Sequence, residues 1–112
     1  MAKVIDVAVI GGGPAGLAAA IKAKEAGAEN VTIIERAEQL GGLLHQCVHN
    51  GFGLLYFNED LTGPEYAHRF IEKAMDLGID TMLETMVLDI NRDRKMAVCN
   101  KDGYVNLNPK TI

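Results

Sequence analysis

The sequence predicts an α/β fold built on a parallel sheet, and three observations predict it. An apolar run, Val4 to Ile10, leads directly into Gly11-Gly12-Gly13-Pro14-Ala15-Gly16. An alanine-rich stretch of helical character follows, and then a second apolar run, Val31 to Ile34, closed by the acid Glu35. Short runs that are apolar on both faces suit strands buried in a parallel sheet, and the helix between them supplies the crossover.

Each element has its own warrant. The first helix spans about Pro14 to Ala26. Pro14 falls in the first turn, where a missing N–H costs little, and Gly27 is a natural C-terminal cap. Residues 37 to 61 lack clean periodicity and are rich in glycine, so they read as a long loop with one short helical turn. Thr62-Gly63-Pro64-Glu65 has the spacing of a capping box. The helix it opens places Tyr66, Phe70, Ile71, Ala74 and Leu77 on one apolar face and ends at Gly78. Extended segments follow: Ile79 to Ile90, Met96 to Asn100, a turn at Asp102-Gly103, and Tyr104 to Leu107. The last two read as a β-hairpin.

The glycine turn carries the chemistry. Gly11-x-Gly13-x-x-Gly16 is weak evidence alone, because glycine clusters are common in loops. Here it ends a strand and opens a helix, with Glu35 standing 19 positions after Gly16 (35 − 16). That context is the dinucleotide-binding, Rossmann-like fingerprint. Gly11 allows the tight exit from the strand, Gly13 lets the backbone approach a pyrophosphate, and Gly16 lets the helix pack on the sheet. The helix N-terminus, with Pro14 and Ala15 in its first turn, offers unpaired N–H groups and partial positive charge to a diphosphate. Glu35 is placed to accept hydrogen bonds from a ribose diol and would repel a 2′-phosphate, which disfavours NADP at this site. The competing reading is a structural βαβ unit that holds no ligand.

DVAVIGGGPAGLAAA…VTIIER resembles the N-terminal FAD-binding segment of flavoproteins with two dinucleotide-binding domains, the pyridine nucleotide-disulfide oxidoreductase superfamily. Gln39-Leu40-Gly41-Gly42-Leu43 is similar to the LGG segment that follows the acid in those proteins. His45 to Phe70, HQCVHNGFGL…LTGPEYAHRF, resembles a subgroup of FAD-dependent, NAD(P)-linked oxidoreductases. Some of that subgroup accompany glycerol-3-phosphate dehydrogenases, and others are related to subunits of amine and sarcosine oxidising complexes. The resemblance implies that Gly11, Gly13 and Gly16 hold the FAD pyrophosphate and that Glu35 holds the adenosine ribose. It sets Arg36 beside the adenine, Gly42 and Leu43 near the diphosphate or flavin side, and the Met86-Val87 backbone against the adenine. It also implies that Asn108 to Ile112 begins a further parallel strand lying beside the first.

Composition bounds the partners. The 112 residues carry a formal charge of −4 with no basic stripe, which speaks against nucleic acid. No apolar stretch approaches the roughly 20 residues that span a bilayer. Lys3 and the apolar run after it suggest a signal peptide, but Asp6 and three glycines interrupt it. Two cysteines, Cys47 and Cys99, are too few for a disulfide scaffold and fit a reducing cytoplasm.

His45, Cys47 and His49 form an H-x-C-x-H pattern. Spacing of two is unusual for structural zinc and no fourth ligand is close in sequence, so no metal is expected. The disulfide reductases of the superfamily carry paired cysteines after the corresponding glycines. Cys47 is alone and its offset from Gly42 does not match, so it reads as a loop residue near the flavin. Cys99 reads as a small buried apolar residue and His68 as solvent-facing. No residue qualifies as a catalytic acid, base or nucleophile.

The expectation is thus a Rossmann-like βαβ sheet with a small β-hairpin insertion, truncated before its closing strand. Residues 1–112 would be the partial FAD-binding domain at the front of a longer flavoprotein, with the NAD(P) site in the remainder. The alternative is a subunit completed by a partner chain or a homo-oligomer. Without the closing strand, Val4 to Ile10 would lie at or near a sheet edge, an aggregation hazard. The complete protein would be a cytoplasmic FAD-dependent oxidoreductase acting on a small-molecule substrate. Two other classes remain open: an NAD-binding dehydrogenase domain, and a non-catalytic nucleotide-binding module.

Overall fold

The computed structural model describes residues 4–112, so Lys3 lies outside the described residues. Strand β1 (Val7–Ile10), helix α1 (Pro14–Glu25) and strand β2 (Val31–Ile34) form the expected βαβ unit. A short 3-10 turn follows at Gly42–Gln46, then helix α2 (Gly63–Asp76) and strands β3 (Asp80–Met82), β4 (Met86–Ile90), β5 (Met96–Asn100) and β6 (Gly103–Leu107). Strands β1, β2 and β3 make one parallel sheet in that order, with Val7 opposite Val31 and Thr32 opposite Asp80. Strands β4, β5 and β6 make a separate antiparallel meander.

The result is three layers. Leu17, Ala20 and Ile21 of α1 and Ala74 of α2 pack with Val31 and Ile33 on one face of the parallel sheet. Ile5, Ala8 and Ile34 pack with Met96 and Val98 of β5 on the other. Strand side chains alternate, so a strand between two apolar layers has no polar face to spare. All four residues of β2 are buried accordingly. Burying a side chain such as Ile33 contributes about 1.5–3 kcal/mol.

Two expectations are corrected. The single extended segment from Ile79 to Ile90 is two strands in two different sheets. The break falls at Glu84, whose φ of 49° is left-handed. The Glu84 and Thr85 N–H groups leave the ladder to donate to the carbonyls of Ala37 and Glu35. The expected hairpin is present as β5 and β6, and β4 joins it as a third antiparallel strand. Cys99, expected to be buried, is half-buried. Along β5 Met96 and Val98 take the covered face, and the period of two turns Cys99 to the other.

Regular pairing of β1 starts at Val7 rather than Val4. Ahead of it, Lys110 N–H donates to the Ile5 carbonyl, Thr111 N–H to Asp6, and Ala8 N–H to Thr111, giving a parallel bridge between Val7 and Thr111. The segment after β6 thus runs beside β1, as the resemblance implied. Asp6 anchors this corner. Its carboxylate accepts the Asn30 N–H at 2.9 Å and pairs with Lys110 at 3.0 Å. The Asn30 N–H and then Lys110 hold the Asp6 carboxyl below its ordinary pKa. A depressed folded-state pKa gives stability that is present above the unfolded value of about 4 and lost as pH falls through the folded one. Urea unfolding from pH 6 down to pH 2 should therefore show a shallower acid loss for Asp6→Asn than for wild type. Parallel curves would show that Asp6 carries none of the acid limb.

Helix α2 starts as expected. Thr62 Oγ1 accepts the Glu65 N–H at 3.4 Å, and Glu65 accepts the Thr62 N–H at 2.9 Å. Phe70, Ile71, Ala74 and Leu77 reach the core, whereas Tyr66 joins Phe52, Phe57 and Phe70 in an aromatic cluster that packs the long loop onto α2. His68 is exposed and paired with Glu72 at 3.0 Å. Among the described residues no helix is long and apolar enough to cross a membrane.

Candidate functional site

The site begins where β1 stops. Gly11, with a φ of 100°, turns the chain, and its N–H donates to the Ile34 carbonyl at 2.8 Å. Helix α1 then opens at Gly13 with no side-chain cap and no acid in its first turn. Its leading N–H groups therefore have no side-chain acceptor, and Pro14 removes a donor that the helix does not use. A Cβ built on Gly13 would meet nothing within 4 Å. A Cβ built on Gly16 would run into the Gly11 carbonyl. The two glycines do different work: Gly16 lets α1 lie against the strand exit, and Gly13 leaves open space in front of the helix.

Glu35, at the tip of β2, reaches back to this turn. One carboxylate oxygen accepts the Gly12 N–H at 2.8 Å, and the other accepts the Ala37 N–H at 2.8 Å. The acid thus braces the glycine turn as well as facing the cleft beside it. That cleft, about 420 Å³, is lined by Gly11, Glu35, Arg36 and Val87 together with Ile10 and Thr85. Four residues singled out from sequence as cofactor contacts therefore line one cleft. Thr85 is the residue that sequence reading missed. It is buried, donates its hydroxyl to the Leu83 carbonyl at 2.8 Å, and ties its own N–H to Glu35. Inside an extended run, nothing in its sequence context signals this.

The Leu40–Leu43 segment forms the second side of the turn. The Gly41 N–H donates to the Gly12 carbonyl at 2.8 Å, and Leu40 packs over Gly12. Gly42 lies against Gly13, since a Cβ on Gly42 would come within 3.1 Å of the Gly13 Cα. Leu43 stands 68% exposed beside it. Pro14 and Ala15 are exposed at the mouth of α1, and Pro14 also borders a separate apolar recess of about 570 Å³ with Leu44, Phe52 and Tyr66.

The H-x-C-x-H residues do not converge. His45 Nε2 lies 2.5 Å from the Leu40 carbonyl, His49 Nδ1 lies 3.0 Å from the Asn50 carbonyl, and Cys47 contacts the Leu43 carbonyl at 3.5 Å. Among the described residues no three His, Cys, Asp or Glu side chains form a group that could hold a metal. Both cysteines are free thiols.

The family described as FAD dependent oxidoreductase matches residues 6–103. A thioredoxin reductase of Ureaplasma parvum serovar 3 is 37% identical over 83 residues, 73% of this chain and 25% of that protein. Hydrogen cyanide synthase subunit HcnB of Pseudomonas protegens is 40% identical over 107 residues, 90% of this chain and 22% of that protein. The crystal structure of L-proline dehydrogenase from P. horikoshii superposes with a TM-score of 0.78 at 28% identity, covering 96% of this chain and 21% of that one. The chain spans between 22% and 32% of the length of the curated relatives it matches.

Proposed function

The chain belongs to the FAD dependent oxidoreductase family, and from that premise we propose that residues 1–112 hold the adenosine diphosphate half of an FAD within a larger NAD(P)-linked oxidoreductase. The observation that carries the reading is the open space in front of Gly13 at the uncapped start of α1, next to a cleft walled by Glu35.

The residues fit the group part by part. The pyrophosphate would lie at the first N–H groups of α1, over Gly11, Gly13 and Gly16, where Pro14 and Ala15 add no competing side-chain acceptor or acid. Glu35 spends one lone pair of each oxygen on Gly12 and Ala37. A carboxylate offers about four such sites, so acceptors remain for the two ribose hydroxyls. The same charge repels a 2′-phosphate. Arg36 and the Met86-Val87 backbone flank the adenine end of the cleft, and Gly42 and Leu43 flank the diphosphate toward the flavin. Bound FAD supplies reversible electron transfer to and from small molecules; the chain's contribution is binding, orientation and charge. A small-molecule substrate, a nicotinamide nucleotide site beyond these residues, and assembly as a homo-oligomer or with a partner subunit complete the proposal. Two free thiols suit a cytoplasmic setting.

The purified full-length protein should show a visible flavin band at about one FAD per chain, bleached without oxygen by NADH or NADPH. Binding of NAD without any flavin would instead favour a dehydrogenase domain. Retention of neither would leave a nucleotide-free βαβ scaffold.

A further inference from the structure

The Gly41-Gly42 turn faces Gly13 in an unusual conformation. Both residues have left-handed φ values, 112° and 54°. Two consecutive positive φ values cost even glycine some of its freedom, so a neighbouring contact must select this shape from the many that the pair could adopt. The Leu40–Gly41 peptide that enters the pair is tied on one side by its N–H, which donates to the Gly12 carbonyl, and the Gly41 carbonyl in turn accepts the Leu44 N–H. The carbonyl side of that same entering peptide is tied by a side chain. His45, half-buried on the 3-10 turn, sets Nε2 at 2.5 Å from the Leu40 carbonyl, and its ring fills the space that a Gly41 Cβ would need. A carbonyl can only accept, so the contact requires hydrogen on Nε2. Of the H-x-C-x-H residues, His45 reaches the carbonyl just before the glycine pair, whereas Cys47 contacts the Leu43 carbonyl just after it.

We propose that His45 is a positioning residue for the FAD site, its Nε2–H clamping the Leu40 carbonyl so that Gly41 and Gly42 form the second wall of the pyrophosphate cradle opposite Gly13. This rests on the assignment of that cradle to FAD. Freed from the clamp, the glycine pair samples other conformations, and ordering it again on binding weakens affinity.

The test is FAD titration of the deflavinated full-length protein, followed by flavin fluorescence, with circular dichroism of each variant. His45→Ala should weaken FAD binding about tenfold or more while its apo spectrum stays that of wild type. Gln carries an N–H as many bonds from Cβ as Nε2, and Asn one bond fewer. His45→Gln should therefore restore binding to within about threefold, and His45→Asn should not. An Ala variant that binds within twofold of wild type overturns the proposal, as does equal behaviour of Gln and Asn. If Ala fails to fold, the Gln and Asn pair decides alone. Gly13→Val separates the two levels of the argument. Binding lost there but indifferent to His45 refutes only the clamp, and wild-type protein that binds no FAD refutes the cradle as well.

Discussion

Gly13→Val in the full-length protein should abolish FAD retention while leaving the apo fold in place. The two halves of that outcome have separate causes. Gly13 has a φ of −76°, which any residue adopts, and a Cβ built there meets no protein atom within 4 Å, so a side chain starts into open space. Valine is a poorer N-cap than glycine, which costs about 1 kcal/mol, a tolerable loss for a domain of ordinary stability. The branched side chain instead occupies the volume in which a pyrophosphate must approach the helix N–H groups. Flavin content of the purified variant, read by absorbance beside its thermal unfolding curve, checks both halves. Undiminished flavin would move the phosphate site away from this turn.

Gly16→Val should do the opposite and cost the fold itself. Its Cβ would overlap the Gly11 carbonyl, and the Val9 side chain stands 3.4 Å away. A backbone carbonyl at a strand exit cannot swing aside as a side chain can. Helix α1 would have to lift off β1, opening the layer that buries Leu17 and Ala20. Overpacking of this kind costs roughly 3 kcal/mol or more, a large share of the 5–15 kcal/mol that holds a typical domain. Urea unfolding and soluble yield measure it, and a midpoint equal to wild type would show that the helix has room to spare. The pair of variants thus separates a glycine kept for the ligand from a glycine kept for the helix.

What could be read from sequence follows from how local each signal is. The course from Val7 to Ile34 was legible because strand run, glycine turn, helix and acid are consecutive, and each constrains the next. The Thr62 cap was legible because both its partners lie within four residues. The split of Ile79–Ile90 was not, because the groups that pull Glu84 and Thr85 out of the ladder are carbonyls of Glu35 and Ala37, far away in the chain. The facing of Cys99 depends on which side of β5 the parallel sheet covers, and the composition of β5 does not encode that. Glu35 was legible as an acid beside the cleft. Its second task, accepting the Gly12 N–H, emerges only once β1 and β2 lie side by side. His45 carried a signal, a histidine close after two glycines, but a pattern search reads it with Cys47 and His49 instead of with the carbonyl that it holds.

The bridge between Val7 and Thr111 has a consequence for the order in which the molecule assembles. The meander β4–β6 pairs residues close in sequence, so its loops close at little entropic cost and it can form early. The parallel sheet recruits β1, β2 and β3 across longer separations. Thr111 reaches Val7 from the opposite end of the chain, the most expensive closure of all. Until that closure, one side of β1 keeps its N–H and C=O groups unmatched, a window in which nascent chains can pair with each other through this strand rather than within themselves.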